Sequence, residues 1–121
     1  MKELNLKGLK NELREFADDR DWNQFHTPKN LSMALAGEVG ELVEIFQWLK
    51  EEDSKLENIS VENLSRTKEE IADIFLYLIR IADKLDIDLV KVAQEKIDIN
   101  SQKYPIQKAK GNAIKYNRRD E

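Results

Sequence analysis

The chain contains no cysteine, one histidine, 2 prolines and 4 glycines among its 121 residues. Without cysteine it can form neither a disulfide framework nor a thiolate metal site, and a single histidine excludes a metal centre built on histidine pairs. So few helix breakers argue against a β-sandwich with many turns and favour long helices. No charge-free stretch approaches the length of a membrane span, and residues 1–10 lack the apolar run of a signal peptide.

The residues that are present give the composition of a soluble globular protein, with 40% hydrophobic and 36% charged residues. The length suits one domain. The net charge of −4 argues against a nucleic-acid polymer as partner. It does not argue against a nucleotide, because a metal ion can supply positive charge. The cytoplasm is the expected location.

Four helices are predicted from apolar periodicity and from capping residues. They cover residues 4–19, 28–50, 60–85 and 88–103. Thr27 followed by Pro28 marks the start of the second helix, since threonine caps helices and proline suits the first helical position. Ser60 and Asp88 are the candidate N-caps of the third and fourth helices.

The remaining segments are a polar loop with aromatic residues at 21–27 and a charged linker at 51–59. Tyr104-Pro105 ends the fourth helix. We therefore predict one domain over residues 1–105, followed by a basic tail at 106–121. The tail is expected to be partly disordered or to lie against a partner subunit.

Two acidic pairs lie on inward helix faces. Glu38 occupies the middle of the apolar face of the second helix, and Glu41 lies one turn along at the edge of that face. Glu70 and Asp73 repeat the pattern on the third helix, which is apolar almost all round from Ile71 to Ala82 and is expected to be central and buried. An E-x-x-E pair usually belongs to a solvated face, but bare carboxylates are too costly to bury unless protonated, paired or metal-bound. Helical bundles hold metals in this way, and an all-oxygen ligand set favours Mg²⁺, with Mn²⁺ as a substitute, over Zn²⁺.

A base pocket is a second candidate feature. Trp22, Phe25, Trp48 and His26 could form it, because nucleobases stack on aromatic faces. Simple core packing of Trp48 and a capping role for His26 explain the same residues.

A phosphate-binding stripe is a third candidate. Lys96, Asn100 and Lys103 are spaced four and three residues apart on the fourth helix, so their side chains share one face. Two cations and an amide could hold a polyphosphate. From spacing alone, an ordinary solvated face is the better explanation.

These features resemble a known family. The segments GEVGELVEIFQW (37–48) and EEIADIFLYL (69–78) are similar to the MazG-like all-α NTP pyrophosphatases, whose signature is E-x-x-E, a spacer and E-x-x-D. FADDRDWNQFHTPKNL (16–31) and KIDINSQKYP (96–105) resemble the dCTP pyrophosphatase branch specifically. The resemblance covers roughly residues 13–116. It implies a four-helix bundle assembled as a homotetramer, a dimer of dimers.

The same resemblance implies Mg²⁺-dependent hydrolysis of a deoxynucleoside triphosphate, dCTP or a 5-modified dCTP, to the monophosphate and pyrophosphate, which would clean the nucleotide pool. The implied metal ligands are Glu38, Glu41, Glu70 and Asp73, with Glu38 or Glu41 accepting the proton of the attacking water. The implied substrate-binding residues are Trp22, Asn23, Gln24, Phe25, His26, Trp48, Tyr77, Lys96, Asn100, Lys103 and Tyr104.

Two positions depart from the family pattern and keep alternatives open. Close relatives place a histidine where this chain has Leu13, so the substrate could instead be dUTP, dATP or a damaged triphosphate. Lys103 stands where many members have arginine, which would grip phosphate in a bidentate manner. An alternative of a different class is a non-catalytic helical interaction module whose acids pair with a basic partner. Mg²⁺ binding distinguishes the two classes.

Overall fold

The computed structural model describes residues 4–118, and all regular structure in that range is helical. The predicted all-α class is therefore confirmed. The α-helices are α1 (Leu6–Asp19), α2 (Pro28–Phe46), α3 (Val61–Lys84), α4 (Leu89–Lys103) and α5 (Ile106–Ala109). Two 3-10 helices cover Glu51–Ser54 and Tyr116–Arg118. No helix within these described residues has both the length and the apolarity needed to cross a bilayer.

Each of the four long helices begins at a polar residue that caps it. The side chains of Asn5, Thr27, Ser60 and Asp88 each accept a hydrogen bond, of 2.8 to 3.2 Å, from the backbone N–H three residues later. Such bonds satisfy N–H groups that the first helical turn leaves unpaired. The predicted caps Thr27, Ser60 and Asp88 are confirmed.

The end of α2 differs from the prediction. The helix ends at Phe46 rather than at residue 50. The N–H of Leu49 donates to the carbonyl of Phe46 at 2.9 Å, a bond three residues back that tightens the turn, and Lys50 is then extended. The predicted linker at 51–59 contains the short 3-10 helix Glu51–Ser54.

The contacts divide the described chain after residue 87. The first unit holds α1, α2 and α3, and the second holds α4, α5 and the last 3-10 helix. The predicted division into a domain at 1–105 and a tail at 106–121 stays a prediction. Residues 1–3 and 119–121, at the ends of those two ranges, lie outside the described residues.

In the first unit, α3 packs against both α1 and α2, so its predicted central place is confirmed. The buried apolar side chains are Ala17, Leu31, Ile45, Ile79 and Ala82. The expectation that the apolar segment from Ile71 to Ala82 is buried is wrong for one of its faces in the single chain. Ile71, Phe75 and Leu78, spaced four and three residues apart, are 54%, 43% and 39% exposed, because α1 and α2 cover other faces of the helix.

Candidate active site

Three carboxylates meet where α2 packs along α3. Glu38 and Glu41 lie one helical turn apart on α2, and Glu70 lies on α3. One carboxylate oxygen from each lies within 4.8 Å of the others. Glu38 and Glu70 are half-buried, whereas Glu41 is exposed. The inward placement predicted from the helical wheel is thus observed for these three acids.

The carboxylate group is short of positive charge. Among the described residues, Glu38 Oε2 and Glu70 Oε2 are buried without a hydrogen-bond partner. The hydrogen bond shared with Glu70, then burial, and then Glu41 raise the pKa of Glu38 to about 7. Crowded, desolvated carboxylates resist ionisation unless a cation is added. The three acids therefore fit a divalent metal, and their oxygen atoms suit a hard ion such as Mg²⁺ or Mn²⁺.

Asp73, the fourth predicted ligand, stands apart from this group of three. It is exposed, and its side chain lines a cavity that Glu38 also lines. The role of Asp73 as a ligand stays a prediction.

The cavity beside the carboxylates has a volume of about 460 Å³, a size typical of small-molecule sites. Its wall comes from α1, the loop that follows, α2 and α3. The lining residues are Leu9, Glu12, Leu13, Phe16, Trp22, His26, Leu31, Glu38, Asp73, Leu76, Tyr77 and Arg80. The wall is mostly apolar and aromatic with a few charged groups, which is the usual character of a ligand pocket.

The backbone at the end of α1 directs Trp22 into this wall. Asp21 adopts a left-handed conformation with φ of 53°, and the N–H of Trp22 donates back to the carbonyl of Ala17 at 2.9 Å. The turn places the Trp22 ring edge-to-face with Phe16, with ring centroids 5.5 Å apart, and 6.0 Å from the ring of His26. An aspartate tolerates this conformation better than most residues, so the sequence supports the turn.

A model of the MazG-like family matches residues 34–118. The chain belongs to the MazG-like family. The dCTP pyrophosphatase 1 of Bos taurus is 40% identical over 114 residues, covering 94% of this chain and 68% of that protein. The dCTP pyrophosphatase 1 of Homo sapiens is 39% identical over 114 residues, covering 94% and 67%. A solved pyrophosphatase from Archaeoglobus fulgidus superposes with a TM-score of 0.76 at 39% identity, over 83% of this chain and 92% of that one.

Some of the substrate-binding residues predicted for this MazG-like chain line the cavity, and others do not. Trp22, His26 and Tyr77 line the cavity. Phe25 is 58% exposed and Trp48 88% exposed, and neither lines the cavity. The alternative explanation that Trp48 packs in the core is therefore wrong for the single chain. The role of Trp48 in substrate binding stays a prediction.

Two other predicted loop residues make hydrogen bonds within the protein. Asn23 accepts hydrogen bonds from Arg80 and from Lys84, the latter at 3.2 Å. Gln24 donates to the carbonyl of Asp21 at 3.1 Å. These bonds hold the loop, and substrate contact by either residue stays a prediction.

The four remaining predicted residues lie on or just after α4, in the second unit. Lys96, Asn100 and Lys103 share one stripe of that helix by their spacing. Lys103 Nζ lies 4.8 Å from the centre of the Tyr116 ring, and Tyr104 meets the same ring edge-on at 6.0 Å. Phosphate binding by this stripe stays a prediction.

The sequence reasoning missed Arg80. A signal was available, because Arg80 continues the stripe of Glu70, Asp73 and Tyr77 at spacings of three and four residues. It is also a charged residue inside an otherwise apolar run, and it is only 5% exposed. A charge in such a place needs partners, and the structure supplies them.

Proposed function

We propose that this MazG-like protein is a Mg²⁺-dependent pyrophosphohydrolase that converts dCTP or a 5-modified dCTP to the monophosphate and pyrophosphate. The observation that carries the proposal is the pair of buried, unpartnered oxygens of Glu38 and Glu70, together with the cavity of about 460 Å³ that Glu38 lines. The similarity to proteins named dCTP pyrophosphatase 1 supports the substrate.

Glu38, Glu41 and Glu70 would hold the metal, with Asp73 as the proposed fourth ligand. When bound, Mg²⁺ supplies positive charge that neutralises phosphate oxygens and stabilises the leaving pyrophosphate. In this proposal the protein has two further tasks, which are to position the triphosphate and to accept a proton. Water attacks the α-phosphorus, the bond to the bridging oxygen of the β-phosphate breaks, and Glu38 or Glu41 takes the proton of the water. The chain needs no nucleophilic side chain for this reaction.

The nucleobase would enter the cavity and stack on its aromatic residues. Trp22 and Tyr77 provide the aromatic faces, and His26 provides a polar edge. Lys96, Asn100 and Lys103 would bind the polyphosphate, whose negative charge matches the two lysines. The enzyme would act as a homotetramer built from dimers in the cytoplasm, on free nucleotides rather than on a nucleic-acid polymer or a membrane.

A pyrophosphohydrolase that prefers another base is the second candidate, and a specific observation favours it. Leu13 lines the cavity and is half-buried, so this part of the wall offers the base an apolar contact and no hydrogen bond. Discrimination between bases depends on a few hydrogen bonds. A base other than cytosine would therefore change the assignment of the pocket but not the chemistry.

Pyrophosphate release from a panel of canonical and 5-modified deoxynucleoside triphosphates, with Mg²⁺ and with chelator, tests the proposal. We expect Mg²⁺-dependent release, fastest with dCTP or a 5-modified dCTP. Release with a different base would support the second candidate. Absence of release from every nucleotide would refute the enzymatic proposal and favour a helical interaction module.

Variants of the acidic residues connect the activity to the carboxylate group. Glu70→Gln keeps the shape and removes the charge, so it should abolish both hydrolysis and Mg²⁺ binding. Glu44→Gln is the matched control, since Glu44 lies exposed on the same helix as Glu38 and outside the group. Equal activity and equal Mg²⁺ affinity in the two variants would rule out the proposed site.

A further inference from the structure

Arg80 is a charged residue of the cavity wall for which neither the carboxylate group nor base stacking provides a role. It lies near the end of α3 and is 5% exposed. A buried guanidinium has to find hydrogen-bond acceptors, because an unpaired buried charge is very costly. The acceptors that bind Arg80 lie on the loop at 21–27 and on α3 itself.

The guanidinium of Arg80 joins three residues, and we call this set the Arg80 network. Its Nε donates to Nδ1 of His26 at 3.2 Å, and its Nη2 donates to Oδ1 of Asn23. Its Nη1 lies 3.5 Å from Oδ2 of Asp83, which is 8% exposed. Arg14 of α1 donates two hydrogen bonds to the same Asp83, from Nε to Oδ2 at 2.7 Å and from Nη2 to Oδ1 at 2.5 Å. The network thus ties the loop that carries His26 to α3, and Asp83 is shared with α1.

The contact with His26 determines which ring nitrogen carries the proton. Arginine has donors only, so the Nδ1 atom that faces it must accept. A neutral imidazole that accepts at Nδ1 carries its hydrogen at Nε2. Burial lowers the pKa of His26, and the positive charges of Arg80 and Lys84 lower it further, so the ring is neutral at pH 7.

We propose that Arg80 is a positioning residue that holds His26 as the Nε2–H tautomer, so that His26 offers the cavity one hydrogen-bond donor for an acceptor atom on the nucleobase. The role of the base in this inference rests on the proposed function, whereas the tautomer does not. Cytosine has a ring acceptor at N3 where uracil has an N–H donor. A donor that faces this ring position therefore pairs with cytosine and not with uracil, because two donors cannot pair.

The tautomer can be measured directly, since His26 is the only histidine of the 121 residues. A tag-free protein labelled with ¹⁵N-histidine gives one pair of ring nitrogens, and long-range ¹H–¹⁵N correlation spectra at pH 8 show which one carries hydrogen. We expect Nε2–H in the wild type. Arg80→Met should populate the Nδ1–H form, and Arg80→Lys, which again has donors only, should restore Nε2–H.

Arg14→Met is the matched control, because it removes a guanidinium that contacts Asp83 but not His26. It should leave the tautomer unchanged. Thermal unfolding of all variants shows whether Arg80→Met remains folded. If it does not, the tautomer observed in the wild type still tests the proposal. An Nδ1–H form in the wild type, or an unchanged tautomer in a folded Arg80→Met, would overturn the proposal.

Kinetics test the link to base recognition. With one hydrogen bond to the base lost, Arg80→Met should raise KM for dCTP about tenfold and leave kcat nearly unchanged. The ratio of kcat/KM for dCTP to that for dUTP should fall by a similar factor. An unchanged ratio despite a changed tautomer would overturn the base-recognition role. A wild type that hydrolyses no nucleotide would refute the proposed function, while the spectra would still decide the role of Arg80.

Discussion

At the scale of the residue, Glu38 shows the conflict that a metal would relieve. The hydrogen-bonding interaction of its carboxyl group with Glu70, then burial, and then the nearby Glu41 raise its pKa to about 7. A raised pKa means that the folded protein binds this proton more tightly than the unfolded chain does. Without metal, the ionised group destabilises the fold above pH 7, and this penalty disappears as the pH falls from about 7 towards 4.5.

The first prediction concerns Glu38→Gln in the presence of chelator. At pH 8 the variant should have a higher free energy of unfolding than the wild type, because it removes a charge that the site disfavours. The difference should shrink towards pH 5, where the wild-type carboxyl group is protonated in the folded state. Urea unfolding at the two pH values measures it. A variant that is less stable at pH 8 would show that the carboxylates do not repel one another.

Saturating Mg²⁺ should reverse this order of stability. A ligand that binds only the folded state stabilises it by mass action, and Glu38→Gln lacks one of the proposed ligands. The wild type should therefore unfold at a higher urea concentration in Mg²⁺ than in chelator, and the variant should change little. Equal responses of the two proteins would contradict a role for Glu38 in metal binding.

Asp83 is the opposite case, a carboxylate stabilised by its neighbours. The hydrogen bond from Arg14 lowers the pKa of Asp83, and the charges of Arg14 and Arg80 lower it further despite burial. A lowered pKa contributes stability above the unfolded value of 3.8, and this contribution is lost as the pH falls through the folded value.

The second prediction follows from that sign. Asp83→Asn should cost about 3 kcal/mol of stability at pH 7, because it leaves the buried Arg80 without its countercharge. Arg14→Met should cost less, since its side chain is 53% exposed and Arg80 keeps Asp83. Unfolding curves from pH 7 to pH 2 should converge for Asp83→Asn and the wild type. If the difference in unfolding free energy between the two proteins stayed constant from pH 7 to pH 2, the negative charge of Asp83 would not contribute to stability.

At the scale of the element, one stripe of α3 carries several tasks. Glu70, Asp73, Tyr77 and Arg80 succeed one another at three- and four-residue spacing, so a single helix face supplies a candidate metal ligand, the cavity wall and the Arg80 network. The helix that carries this face begins at the Ser60 cap, whose side chain accepts a hydrogen bond from the N–H of Asn63 at 3.1 Å.

The third prediction tests this cap. Ser60→Ala should lower the free energy of unfolding by about 1 kcal/mol, because the N–H of Asn63 loses its acceptor. Ser65→Ala is the control, since Ser65 is exposed inside the same helix, where alanine is the better helix former. The control should be neutral or slightly stabilising. Equal losses in both variants would mean that the cap does not contribute.

At the scale of the whole molecule, Ile71, Phe75 and Leu78 form an apolar stripe on α3 that is between 39% and 54% exposed in the single chain. A contiguous exposed apolar surface commonly marks an interface between proteins. This supports the proposed homotetramer, in which a second copy would cover the stripe.

The fourth prediction is that Ile71→Glu reduces the assembly. A charge placed in a buried apolar interface is strongly unfavourable, so light scattering should give a smaller mass than for the wild type. Val61→Glu is the control, because Val61 is 87% exposed at the start of the same helix and outside the stripe. An unchanged mass in Ile71→Glu would place the interface elsewhere.

The sequence by itself determined the helical class, the starts of α2, α3 and α4, and the two acidic motifs on α2 and α3. These are local properties, because caps and the period of 3.6 residues act within one or two turns. The end of α2 was predicted less well. The N–H of Leu49 donates to the carbonyl of Phe46, three residues back instead of four, and no sequence pattern indicated this turn. The family resemblance likewise followed from linear motifs, and the match of the MazG-like model confirmed it.

The tertiary structure alone decided what depends on the packing of separate helices. It brought Glu70 to Glu38 and Glu41, left Asp73 at the cavity, and kept Trp48 in solvent. It also joined Arg80 to His26, which lie 54 positions apart in the chain. Such contacts arise from the angle and register at which helices pack, and the amphipathic pattern of a single helix contains neither quantity.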